Sequence, residues 1–133
     1  MKIEVSIGEI VDKATILSIK LEKFKDPDKR DNVRKEFDKL SGEMEKSGIK
    51  PTSAEFELLK KINFKLWDIE DAIRIKEARK EFDDEFIQLA RSIYFNNDKR
   101  AEIKKQINLK YKSDLIEEKE YVSYQDEGKE NQL

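Results

Sequence analysis

The chain has no cysteine and no histidine among its 133 residues. Without cysteine there are no disulfides and no thiolate chemistry, and secretion gains no support. Without histidine the usual general base near neutral pH and the commonest zinc ligand are missing. Ser-His-Asp and Cys-His nucleophiles therefore cannot form within this chain, and catalysis would fall to Asp, Glu, Lys, Tyr or a carboxylate-held metal. Glycine and proline are also scarce, at four and two. No apolar run approaches the ~18 residues that cross a bilayer, so no membrane contact is expected. The start, Met1-Lys2-Ile3-Glu4-Val5, lacks the apolar stretch of a signal peptide, and a cytoplasmic protein is the expectation.

Charge and periodicity fill the space those absences leave. Charged residues make up 44% and hydrophobic ones 37%, with a net charge of -2. Near-cancelling signs and enough aromatics to anchor a core argue against a wholly disordered chain. Regular apolar spacing in such a mix is the signature of long amphipathic helices. The length suggests one domain, residues 1–124, followed by a polar tail over 125–133.

Residues 2–5 alternate polar and apolar, as in a short extended arm. Ser6-Ile7-Gly8-Glu9 then reads as a capping box, with Ser6 accepting from the third helical amide and Glu9 reaching back to the cap amide. Behind it Ile7, Ile10, Ala14, Leu17, Leu21 and Phe24 recur at steps of three and four, which predicts a helix near 7–24. Asp26-Pro27 is a capping carboxylate before a first-turn proline. The second helix carries Val33, Phe37, Leu40 and Met44 and stops near Gly48. Thr52 and Glu55 offer another capping box for a third helix through Phe56, Leu59, Ile62, Leu66, Ile69 and Ile73. The stripe then resumes rotated at Ala78, Phe82, Phe86, Leu89 and Ile93. An unbroken helix over 54–94 would be about 60 Å long, against a radius of gyration of about 14 Å for a compact chain this size. A break is therefore expected near Asp83-Asp84. Asn96-Asn97-Asp98 reads as a loop and cap before a helix near 98–112, and a short helical turn is expected over Asp114–Glu120. Together these give an all-α bundle of four to five helices with a short extended arm in front and a disordered acidic tail behind.

Three groups of residues are candidates for function. The first is surplus apolar surface: Ile16 and Ile19 on the first helix, and Phe64, Trp67 and Ile75 on the third, lie off the main stripes. Helices apolar on two sides sit centrally in a bundle or bury one side against another subunit. A homodimer through these five residues is expected, the alternative being a monomer in which they cover loops.

The second is a cationic ladder. Arg100, Lys104 and Asn108 lie four apart on one helix face, and such a row can grip a phosphate or carboxylate, with Arg91 and Lys13 joining from neighbouring helices. The bland reading is a solvated face paired with Glu117 and Glu118. Residues 99–112 carry a net +5 and residues 113–133 a net -5, so the basic helix and acidic tail are expected to fold back on one another.

The third is acidic spacing. Asp68 with Asp71, and Glu81 with Asp84, each share a helical face at three-residue separation. Two facing pairs could hold Mg²⁺ for hydrolysis of a nucleotide pyrophosphate. This distantly resembles all-α nucleoside-triphosphate pyrophosphohydrolases, but their leading motif of adjacent glutamates with a third three residues on is missing upstream. Among 30 acidic residues such spacings also arise by chance. Nucleic-acid binding is not expected: the pI is near 5.5 and only one helix is basic.

Three stretches together resemble a known family: Glu4-Val5-Ser6-Ile7-Gly8-Glu9-Ile10-Val11-Asp12-Lys13, Leu66-Trp67-Asp68-Ile69-Glu70-Asp71, and the run from Leu89-Ala90-Arg91-Ser92-Ile93-Tyr94 through Asn97-Asp98-Lys99-Arg100 to Glu117-Glu118-Lys119. They are similar to small uncharacterised helical proteins of bacteria and phages, often encoded near genes for lipopolysaccharide or other surface-glycan synthesis. The resemblance implies a helical fold and a genetic neighbourhood, and transfers no catalytic role. Ala14 departs from the larger apolar residue such sequences carry. The expected function is that of an accessory or interaction protein without cofactor rather than an enzyme, with binding of an anionic small molecule at Arg91, Arg100, Lys104 and Asn108 as a further expectation. The metal-dependent hydrolase is the alternative.

Overall fold

The computed structural model describes residues 1–124. The described residues contain four helices and no strand: α1 (Ile7–Lys23), α2 (Pro27–Lys46), α3 (Ala54–Ala78) and α4 (Asp84–Lys110). The expected tail from 125 onward lies outside the described residues.

The helix boundaries follow from local chemistry. Ser6 caps α1, its Oγ accepting from the Glu9 amide at 3.1 Å. At the other end Arg30 reaches back from α2 and donates to the carbonyls of Leu21 and Phe24. Asp26 caps α2 with Pro27 in the first turn, and Gly48, at φ +85°, ends it. The break expected near Asp83-Asp84 is a full reversal. Lys80 takes φ +58°, the Glu81 amide returns to the Lys76 carbonyl at 3.0 Å, and Asp83 caps α4 by accepting from the Phe86 amide at 3.0 Å. A five-residue connection makes α3 and α4 an antiparallel pair. Lys76 braces the reversal, within 3.2 Å of Glu81, 2.8 Å of Asp83 and 3.2 Å of Glu85.

Four expectations are corrected. Glu9 does not return to the cap amide; its carboxylate takes the Lys104 ammonium at 2.7 Å, a bond between two ionised groups in a partly buried place. The cap of α3 is Ser53 rather than Thr52, and Glu55 pairs with Lys110 instead of closing a box. Asn96-Asn97-Asp98 is not a loop, because α4 runs through it unbroken. Asn96 is buried there and donates to the Ser92 carbonyl one turn back at 2.7 Å, so packing on α1 and α3 overrides a weak local preference. No helical turn forms over 114–120. Lys112 takes φ +54° and turns the chain out of α4, and Glu117 and Glu118 then face Lys104 and Lys105 on that helix.

α1 packs against all three other helices, and α3 against α4. The core gathers Val11 and Ala14 of α1, Met44 and Ile49, Phe56 and Leu59 of α3, and Ile107 of α4. Ala14 is fully buried in it. This central position also corrects the interface expectation for Ile19, which is wholly buried within the single chain and faces no partner. Ile16 is half-buried. Phe64 and Trp67 are partly covered by α1, with the Lys23 ammonium 4.7 Å from the Phe64 centroid and Phe24 6.3 Å from Trp67. Ile75 is exposed, on a part of α3 beyond these contacts.

After α4 the chain runs back along that helix as an extended strap, residues 111–124. Ser113 accepts from the Ile7 amide at 3.0 Å, and at the far end the Tyr124 ring packs edge-on against Tyr94 and Phe95 at 4.9 and 5.0 Å.

Candidate functional site

Two stripes of small and polar residues meet where α1 crosses α4. On α1 the stripe is Gly8, Asp12 and Thr15; on α4 it is Arg100, Lys104 and Asn108. Gly8 permits the approach, since its amide donates to Asn108 Oδ1 at 2.6 Å. Both helices can then bring charged side chains into a buried layer.

Asp12 is 1% exposed, and its neighbours satisfy it. Arg100 grips it side-on, Nε donating to Oδ1 at 2.9 Å and Nη2 to Oδ2. Asn63 of α3 donates through Nδ2 to Asp12 Oδ1 and to Thr15 Oγ1, both at 2.8 Å, while Thr15 donates to the Asp12 carbonyl at 2.6 Å. One carboxylate thus ties three helices together. The hydrogen bond to Asp12 raises the Arg100 pKa above its ordinary value against the opposing effect of burial, and Asp12, Glu9 and Glu117 add their fields.

Lys104 lies one turn on. Burial pulls its pKa down. The hydrogen bond to Glu9 and the negative charges of Asp12, Glu9 and Glu117 outweigh that, so the ammonium sits above the ordinary lysine value. Its Nζ is 3.7 Å from Asp12 and 3.6 Å from Glu117 of the strap.

Between α4 and the strap lies a cavity of about 760 Å³, a size that suits a small molecule. Arg100, Lys104 and Asn108 line one stretch, and Tyr94, Tyr121 and Tyr124 another. The Tyr124 hydroxyl donates to Asp98, and its pKa is pushed up to about 12 by burial and by that bond. Asp12 occupies two of Arg100's five N–H donors, and among the described residues Nη1 has only Asn97 at 3.5 Å. The guanidinium therefore keeps donors for a further acceptor.

Of the ladder residues, the structure brings Arg100, Lys104 and Asn108 together. It leaves Arg91 apart, exposed, with its guanidinium 5.8 Å from the Phe95 ring, and Lys13 pairs with Glu36 at 3.5 Å. Of the alternative reading, a solvated face paired with Glu117 and Glu118, the Glu117 contact to Lys104 is present, but Glu118 goes to Lys105 and the ladder face is largely buried rather than solvated. The four acids of the metal reading do not converge. Asp68 lies 3.7 Å from Lys23, Glu81 belongs to the Lys76 brace, and Asp71 and Asp84 are exposed. Among the described residues no group of three or more acids is placed to hold a metal ion.

Asp12, Thr15 and Asn63 are the members that sequence reasoning misses. A legible signal existed: Gly8, Asp12, Thr15 and Ile19 follow one another at steps of four, three and four, as a buried second face of α1 would.

No curated protein and no solved structure matches this chain. A family match runs over residues 1–127, nearly the whole sequence and all of the network just described, and the chain belongs to that family, one of unknown function (DUF6165).

Proposed function

We propose that this protein binds an anionic small molecule in the cavity between α4 and the strap, as an accessory protein rather than an enzyme. One observation carries the reading: Arg100 and Lys104, fixed from behind by Asp12 and Glu9, line a cavity of ligand size while Arg100 keeps unused donors. Holding a cation by a buried carboxylate fixes its direction before the ligand arrives and lowers the ordering cost of binding. The tyrosines offer flat surfaces for a ring or a sugar face. With no histidine or cysteine in the chain, the site lacks the usual general base and thiol nucleophile, which favours binding over chemistry.

The resemblance to proteins encoded near surface-glycan genes supports a setting in which such ligands are nucleotide sugars and sugar phosphates. Thermal melting with a panel of these compounds tests the proposal. A ligand at a hundred times its dissociation constant adds about 2.7 kcal/mol, which raises the midpoint of a domain this size by several degrees. An unchanged midpoint across the panel would overturn it.

A second copy of the chain is the proposed protein partner. Exposed Ile75, Phe82 and Ile87 support it, grouped where the α3–α4 hairpin projects past the end of α1.

A further inference from the structure

We infer that Glu117 and Glu118 of the strap stand in for the ligand, and that the ligand's anionic part is a diphosphate that displaces them; this rests on the anion-binding reading of the cavity. The strap is firmly held at its two ends and loosely in its middle. At one end Ser113 bonds the start of α1, and at the other Tyr124 stacks on Tyr94 and Phe95 and bonds Asp98. Between them Glu117 reaches into the cavity to 3.6 Å from Lys104, and Glu118 to 3.3 Å from Lys105. Those carboxylates are 46% and 71% exposed. The Lys105–Glu118 pair is a weak surface contact, and Glu117 approaches a buried Lys104 that already has its closer bond to Glu9, so a competing anion can replace both strap carboxylates.

Charge on the two walls fits the same exchange. The α4 wall presents Arg100, Lys104 and Lys105 against Asp98 and Glu102, and the strap presents Glu117 and Glu118 against Lys119. Asp12 and Glu9 already pair with Arg100 and Lys104 from behind, so the strap's acids add a second, exchangeable set of contacts to cations that the fold has already oriented. Two consecutive carboxylates meet two consecutive lysines, so a molecule that replaces both carries two acidic groups close together. A diphosphate does; a single carboxylate does not. Arg100, with donors left over from Asp12, adds a planar contact that suits phosphate oxygens.

Calorimetric titration of the full chain with inorganic pyrophosphate, at low salt, tests this. The Glu117→Gln/Glu118→Gln double variant should bind pyrophosphate about fivefold more tightly than the unaltered protein, since the two strap carboxylates no longer compete. A control, Glu43→Gln/Glu45→Gln, removes the same charge from the exposed face of α2 and should leave the affinity within about twofold. In the unaltered protein, pyrophosphate should also speed tryptic cleavage after Lys119 as the strap lifts. If the unaltered protein binds pyrophosphate and the strap variant binds it no better, or the control gains as much, the strap is not a competitor and the inference fails while the anion site stands. If neither protein binds, the anion site itself is wrong and the inference falls with it. All these carboxylates are exposed, so the variants fold, and circular dichroism checks that they do.

Discussion

The amide of Gly8 and the side-chain oxygen of Asn108 meet at 2.6 Å across 100 residues of sequence, and that bond closes α1 onto α4. Everything in the candidate site depends on the closeness. A Cβ on residue 8 would stand 2.6 Å from the Lys104 carbonyl oxygen and 3.0 Å from Asn108 Oδ1.

Gly8→Ala therefore sets two effects against each other. Alanine in a helix gains about 1 kcal/mol over glycine. Forcing two helix backbones apart costs about 1–3 kcal/mol, toward the upper end here because the obstacle is main chain rather than a flexible side chain. The net should be a loss, read as a melting midpoint lower by roughly 3–8 °C. A variant that melts higher than the parent would show that α1 and α4 do not approach so closely.

The Asp12–Arg100 pair gives a second test. Asp12→Asn keeps the shape and removes the charge, leaving a half-buried guanidinium without its counter-ion. Breaking one partner of a buried pair costs about 3–5 kcal/mol. Removing both with Asp12→Leu/Arg100→Leu should cost less than the sum of Asp12→Leu alone and Arg100→Leu alone, because no charge is left stranded. Urea unfolding of the four proteins measures the coupling. Additive losses would mean the two side chains stabilise the fold independently of one another.

The first three helices were legible because their signals are local. Ser6, Asp26-Pro27 and Gly48 mark ends through their own backbone chemistry, and the apolar stripes need no partner to be seen. The strap's return along α4 was legible too, from opposite charge on neighbouring segments. The continuity of α4 was not. Asn96-Asn97-Asp98 carries loop chemistry, yet Asn96 is buried and bonds back to Ser92 within a helix that runs on unbroken. Ile19 and Asp12 failed for a related reason. Each lies on the second face of α1, which reads as spare until α3 and α4 are placed against it. The ladder is legible as three cationic and polar residues on one face, but its anchoring carboxylate lies 88 positions away. Although the spacing of Gly8, Asp12, Thr15 and Ile19 marks a second face of α1, nothing in the ladder's own segment pairs Asp12 with Arg100.

Alkaline titration reports on the strap. With its pKa raised from 10.0 to about 12, the Tyr124 hydroxyl keeps its proton longer in the folded state than in the unfolded one. Its contribution to stability is therefore complete below pH 10 and lost as pH rises through about 12. Absorbance of ionising tyrosine should contain a late step near pH 12 that disappears in Tyr124→Phe and moves toward 10 in Asp98→Asn. If Tyr124→Phe leaves the late step in place, the strap is not anchored at Asp98.

The projecting α3–α4 hairpin carries the last prediction. α1 has 17 residues, whereas α3 and α4 have 25 and 27. At 1.5 Å per residue the two longer helices outrun it by about 12 Å or more. On that overhang Ile75 is 52% exposed, Phe82 56% and Ile87 50%, and Phe82 stacks edge-on with Phe86 at 5.2 Å. Three of the four acids beside this patch, Glu81, Asp83 and Glu85, are drawn to Lys76, which leaves the exposed Asp84 as the carboxylate that a second copy covering the apolar residues would have to keep in water. Light scattering at high micromolar concentration should give twice the chain mass of 15.8 kDa, falling to the single mass in Ile75→Lys/Phe82→Lys with the melting of the fold itself little changed. A single-chain mass for the unaltered protein at that concentration would remove the dimer. The binding cavity would be unaffected, because it lies at the far end of α4, where the residues that line it come from one chain.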